Sequence, residues 1–263
     1  MQNYPYVKSP EDFLPITIPY MDIRSIFIMA MYKHSITRNN LRQRNPIIQF
    51  DSLLRGYIGE NAVQRWLSLD NGIRILSTDI MESSSNMDID LTLERKSDGR
   101  TFNTEIKTSM VPDIYKDLNG LMGKTDIKLI RRQGQPIEQL KGDLHIQLYF
   151  PVLKNVREEY LSGLENDLHV KAMYDVFHKR ITPKDYFRDL STYGNDGLGE
   201  TLNLLEIPQA LSTVLVVGWT DKDSLIRIQP KTWNYGYRSF FECKIGGPFS
   251  KAYTPDSLPE FLK

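Results

Sequence analysis

The chain has 263 residues, of which 40% are hydrophobic and 25% charged, an ordinary composition for a globular protein. Lys plus Arg and Asp plus Glu number 33 each, so global charge gives nucleic-acid binding no support and leaves it to a local basic surface. The lone Cys243 excludes an internal disulfide and a cysteine-based zinc cluster, and the absence of any apolar run of about 18 residues predicts no transmembrane helix.

The polar start, MQNYPYVKSPEDF, has no apolar signal core, and a cytoplasmic location is expected. Pro5, Pro10 and Pro15 predict an irregular segment over residues 1–16. Met21 to Tyr32 predicts a strongly apolar helix, packed on the core or on a second subunit, with Met21, Met29 and Met31 as core filler. Residues 33–44 are basic without an acid. Arg38 and Arg42 are candidate phosphate contacts there, and a solvated surface segment is the alternative. Pro46 and Ile47-Ile48 then precede a helix with Tyr57, Ile58, Val63, Trp66 and Leu67 on one face. Gly59 permits close packing of that helix on a sheet. Glu60 is expected in its first turns, where the helix dipole also favours an acid. Asn71-Gly72 stops the helix, and Ile73 to Ile75 begins a strand.

A hairpin follows. Met87, Ile89, Leu91 and Leu93 alternate with Asp88, Asp90 and Thr92, which places the two aspartates on one face of a strand. Lys96-Ser97-Asp98-Gly99 carries turn chemistry. On the return strand, Thr101 to Thr108, Phe102, Thr104, Ile106 and Thr108 take one face, and Asn103, Glu105 and Lys107 the other. Asp90, Glu105 and Lys107 are thereby expected side by side. Clustered carboxylates repel, and one tends to protonate unless a cation joins them. Oxygen ligands favour a hard ion, Mg²⁺ with Mn²⁺ as substitute, over zinc. Lys107 can hold a water or phosphate oxygen beside that ion, and such a set suits phosphodiester hydrolysis. The bland alternative is a solvated strand face with cross-strand ion pairs.

Gly59-Glu60 on a helix, Met87-Asp88-Ile89-Asp90-Leu91 on one strand and Glu105-Ile106-Lys107 on the next resemble the PD-(D/E)XK nuclease superfamily, over about a fifth of the chain. The resemblance implies an α/β fold, a central mixed β-sheet flanked by helices, with a restriction-endonuclease-like core. It also implies a Mg²⁺ site in which Asp90, Glu105 and the Ile106 carbonyl are ligands and Lys107 is the catalytic lysine. Glu60 is then the auxiliary helix acid, and Asp88 is a further acid where the family pattern needs only one. No proline precedes either aspartate, a departure from the full motif.

Residues 110–142 are expected to mix a short helix with a loop. Lys124, Lys128, Arg131 and Arg132 make the segment locally basic and are candidate DNA contacts, with ordinary surface charge as the alternative. Leu144 to Phe150 alternates as a strand whose polar face carries His145, Gln147 and Tyr149. Gln147 or His145 is placed near the cleft, and a hydrogen-bonded core histidine is the alternative for His145. Residues 155–192 carry an intermittent apolar stripe read as helical, and 193–199 a glycine-rich loop. Leu211 to Trp219 predicts a buried strand, Ser224 to Gln229 a further strand, and the aromatic and basic stretch from Trp233 to Lys244 a covering over a sheet edge or subunit interface.

The chain is thus read as a single nuclease domain, 1–263, with a helical and basic arm over 1–50, the catalytic core over 51–150, a helical insertion over 151–200, and C-terminal strands with an aromatic and basic tail over 201–263. The expected function is Mg²⁺-dependent endonucleolytic hydrolysis of DNA phosphodiesters by a type II restriction endonuclease. Double-stranded DNA is the expected partner, the enzyme a homodimer, with no membrane association. A structure-selective or repair nuclease, or a catalytically silent nucleic-acid-binding module, is the alternative.

Overall fold

A computed structural model describes residues 4–36, 46–78, 89–132, 135–151, 162–163, 211–236 and 238–263. Asp88, Arg38 and Arg42 lie outside these residues, as do nearly all of the expected helical stretch 155–192 and the loop 193–199. The chain divides into two compact units. One comprises Met1–Ile16, Gly59–Pro151 and Val214–Lys263, the other Thr17–Ile58 and Val152–Thr213.

The first unit is built on a six-stranded mixed sheet. Its strands are β1 (Leu14–Thr17), β2 (Ile73–Thr78), β3 (Leu91–Arg95), β4 (Thr101–Met110), β6 (Leu144–Phe150) and β7 (Thr213–Asp221), in the order β1-β7-β6-β4-β3-β2. β2, β3 and β4 form an antiparallel meander, β6 runs parallel to β4, and β7 is antiparallel to β6. β6 is buried along its whole length, as a central strand covered on both faces must be. The turn between β3 and β4 uses the expected chemistry. Gly99 takes a positive φ of 71°, its N–H donates to the Arg95 carbonyl, and the Asp98 carboxylate accepts from the Arg100 N–H.

A second, three-stranded antiparallel sheet has the order β5-β9-β8, from β5 (Leu129–Arg132), β8 (Thr232–Tyr235) and β9 (Arg238–Phe241). Its Leu129 and Phe241 join Val111, Leu121, Ile127, Tyr149, Val217, Cys243 and Ile245 in one buried cluster.

Four local expectations are corrected. Leu14–Thr17 is a strand, and Pro15 is tolerated because β1 is an edge strand. Residues 110–142 contain 3₁₀ turns and β5 rather than a short α-helix, because β5 pairs with a strand more than a hundred residues away. Ser224–Gln229 is not a strand: Lys222–Ile228 forms helix α3, capped where Asp221 accepts the Ser224 N–H at 2.8 Å. The strand expected from Met87 begins at Leu91.

In the second unit, helix α1 (Tyr20–Ile36) buries Ile23, Ile26, Phe27 and Ala30, a helical spacing that makes one apolar face. Helix α2 spans Pro46–Ser68, and the boundary between the units falls within it. Its first half buries Phe50, Leu54 and Ile58, with Phe50 edge-on to Phe27 at 5.2 Å between ring centres. Asp51 is fully buried and binds Arg55 one turn on through both carboxylate oxygens. Because the helix begins at Pro46, a residue suited to the first helical position, Glu60 lies past its middle rather than in its first turns. The dipole argument for an acid there therefore lapses. Among the described residues no helix is long and apolar enough to cross a membrane.

Gly59 seats α2 on the sheet. A Cβ at that position would stand 2.4 Å from Thr108 Cγ2 and 3.7 Å from Ile106 Cγ2. Gly59→Ala is therefore expected to destabilise the protein by about 1–3 kcal/mol despite alanine's better helix propensity. Thr108→Ser, which removes the offending methyl, should recover much of that loss in a double-mutant cycle read by urea unfolding.

Cys243 is fully buried, and burial pushes its thiol up to about 12. At pH 8 only about one part in ten thousand is thiolate, the reactive form. A thiol-specific reagent is expected to modify the native protein very slowly and the denatured protein at once. Fast native labelling would show that the segment after β9 opens readily.

Candidate active site

β4 sends successive side chains to opposite faces. Ile106 and Thr108 face α2, where Gly59 meets them, so Glu105 and Lys107 project from the opposite face. β3 leaves β4 at this point. The last main-chain link is the Asp90 N–H to the Thr104 carbonyl, at 3.0 Å. The next N–H on β4, that of Ile106, is taken by the Asp90 carboxylate instead of by a carbonyl. This capture stands where β3 begins, at Leu91 rather than at Ile89; Met87 and Asp88 lie outside the described residues.

The three charged groups then converge. Lys107 Nζ lies 3.9 Å from Asp90 Oδ2 and 3.8 Å from Glu105 Oε2. Glu105 is buried, with a side chain 10% exposed, while those of Asp90 and Lys107 are 18% and 31% exposed. The cluster is thus rooted in the core and open to solvent on its lysine side.

β6 lies directly beside these residues. In the parallel register Glu105 pairs with His145 and Lys107 with Gln147. Gln147 is fully buried. Its Nε2 donates to the Lys107 carbonyl at 2.9 Å and to the Leu148 carbonyl at 3.0 Å, and its Oε1 accepts the Lys128 N–H at 3.1 Å. The buried amide, which also reaches Ser109 Oγ at 3.3 Å, is thus already held by these protein partners. His145 Nδ1 stands 3.6 Å from Glu105 Oε2.

The other expected site residues are dispersed. Glu60 is buried on α2, one residue beyond the Gly59 contact. Among the described residues no group of three or more His, Cys, Asp or Glu side chains that could hold a metal ion is found. Lys128 is exposed, with its backbone fixed by Gln147. Lys124 is exposed and lies 5.6 Å from the centre of the Tyr115 ring. Arg131 and Arg132 fall on β5, paired with Ser239 and Arg238.

Two residues were missed in the sequence. Gly142 packs against the site: a Cβ there would come within 3.0 Å of both Glu105 Cγ and His145 Cε1. Asp143 exchanges two hydrogen bonds with the Asn103 backbone and so prolongs the β4–β6 pairing. Their only sequence signal is the Gly-Asp step just before the β6 alternation.

The oxygen donors present fit Mg²⁺, which takes one or two carboxylates and fills its shell with water and phosphate oxygens. No protein-family model, curated protein or solved structure matches the chain.

Proposed function

We propose that the chain is a metal-dependent endonuclease hydrolysing DNA phosphodiester bonds, of the restriction type. The observation that carries this reading is the convergence of Asp90, Glu105 and Lys107 within 4 Å, where β3 parts from β4. The mixed sheet that carries these residues, with β2, β3 and β4 antiparallel and β6 parallel to β4, is compatible with it.

Asp90 and Glu105, with the Ile106 carbonyl, would hold Mg²⁺. A bound ion supplies an acidified water and charge opposite the phosphate. Lys107 keeps a proton donor between the two carboxylates, placed to hold the attacking water or a non-bridging phosphate oxygen. Burial fixes Glu105 and shields it from bulk water. Lys128 offers an exposed cation at the start of β5, for the DNA backbone. Cutting both strands with one site per subunit favours a symmetric homodimer.

The deciding assay incubates the protein with plasmid duplex and with a four-way junction, in Mg²⁺ with and without chelator. Chelator-sensitive cleavage of plasmid at fixed positions is expected. Cleavage confined to the junction would move the function to a structure-selective nuclease, and no cleavage of either would overturn the reading.

A further inference from the structure

His145 is 1% exposed, and neither ring nitrogen has a hydrogen-bond partner among the described residues. A buried imidazole in that state is unusual, because buried polar groups are nearly always satisfied. The ring is aimed at one acceptor, with Nδ1 3.6 Å from Glu105 Oε2, just beyond hydrogen-bond length. Functional hydrogen bonds of this kind are often long before a ligand arrives and tighten when it does. A second observation concerns space. The backbone at Gly142 passes so close to Glu105 and His145 that no larger residue fits without moving both side chains. The parallel register places the two residues opposite each other on adjacent central strands, so neither backbone has freedom to drift.

We propose that His145 is a positioning residue: its Nδ1–H donates to Glu105 and turns that carboxylate to receive a divalent cation, with Gly142 preserving the approach. Ligating carboxylates depend on such outer partners to fix their orientation. The inference rests on the nuclease reading for the role of Glu105, and it adds a residue outside the Asp90, Glu105 and Lys107 set.

The test measures Mn²⁺ binding by calorimetry and the Mg²⁺ dependence of DNA cleavage, for the parent, His145→Ala, His145→Asn and Gly142→Ala. Asparagine places an amide donor near the position of Nδ1. His145→Ala is expected to weaken Mn²⁺ binding by about 10- to 100-fold. It should raise the half-saturating Mg²⁺ concentration in parallel, with kcat at saturating metal within about threefold of the parent. His145→Asn should recover most of the affinity, and Gly142→Ala should lose it. If His145→Ala does not fold, the Asn and Gly142 variants carry the test. Parent-like Mn²⁺ affinity in His145→Ala and Gly142→Ala, with a parent that binds metal and cuts DNA, overturns this role alone. A parent that binds no Mn²⁺ overturns it together with the nuclease reading.

Discussion

Lys107→Ala and Glu105→Ala are each expected to lower the rate of duplex cleavage in saturating Mg²⁺ by at least ~10²-fold, the usual loss when a group stabilising transition-state charge is removed. The two should fail differently. Glu105 is a metal donor in the proposed scheme, so its loss should also raise the Mg²⁺ requirement. Lys107 is an ammonium between two carboxylates, 3.9 and 3.8 Å away, and its removal leaves those acids to an incoming cation. Lys107→Ala should therefore bind Mn²⁺ at least as well as the parent while cutting poorly. Parent-like cleavage by both variants in a single-turnover assay would reject the site. A fold effect is readily separated, because Lys107 is partly exposed and its backbone carbonyl still receives Gln147 Nε2.

Trp219→Ala should cost about 3–5 kcal/mol of stability, as removal of a fully buried aromatic does. Trp219 is completely buried on β7. Its ring lies 5.0 Å from those of Tyr253 and Phe261 and 5.8 Å from that of Tyr4, tilted against each. Its Nε1–H donates to the Thr254 carbonyl at 2.9 Å and to Ser257 Oγ at 3.1 Å. Trp219→Phe keeps most of the ring packing and loses the two indole hydrogen bonds, while the Thr254 carbonyl still accepts from the Ser257 N–H and Oγ–H, so a smaller loss of roughly 1–2 kcal/mol is expected. Urea unfolding followed by circular dichroism checks both. Equal losses in the two variants would mean that the indole hydrogen bonds, not the ring volume, hold this corner of the sheet.

The strands that were legible in the sequence were those whose pattern is local. β6 spans the expected Leu144 to Phe150, though buried on both faces, β4 shows its two faces, and the Asp98-Gly99 turn its φ. α1 covers the apolar run from Met21 to Tyr32, although Met21, expected as core filler, is exposed. What failed depends on distant partners. β5 owes its strand state to Phe241 and its neighbours, and β1 to its place at a sheet edge. Ser224 to Ile228 is too short an apolar run to separate helix from strand by period, and the Asp221 cap decides it. The candidate site divides in the same way. Asp90, Glu105 and Lys107 could be placed together because one hairpin carries all three. The polar face of Leu144 to Phe150 pointed His145 and Gln147 toward the same cleft, but their pairing with Glu105 and Lys107 could not be read, nor Gly142 beside them, because the register of a parallel pair is written in no short segment.

The Asp90 carboxylate does two separable things where β3 and β4 diverge: it accepts the Ile106 N–H and it contributes negative charge. An asparagine keeps an oxygen for that N–H while discarding the charge. Asp90→Asn should therefore hold the fork open yet leave bound DNA intact. Such a variant offers a stalled form in which the recognised base sequence can be captured and read before any strand is cut.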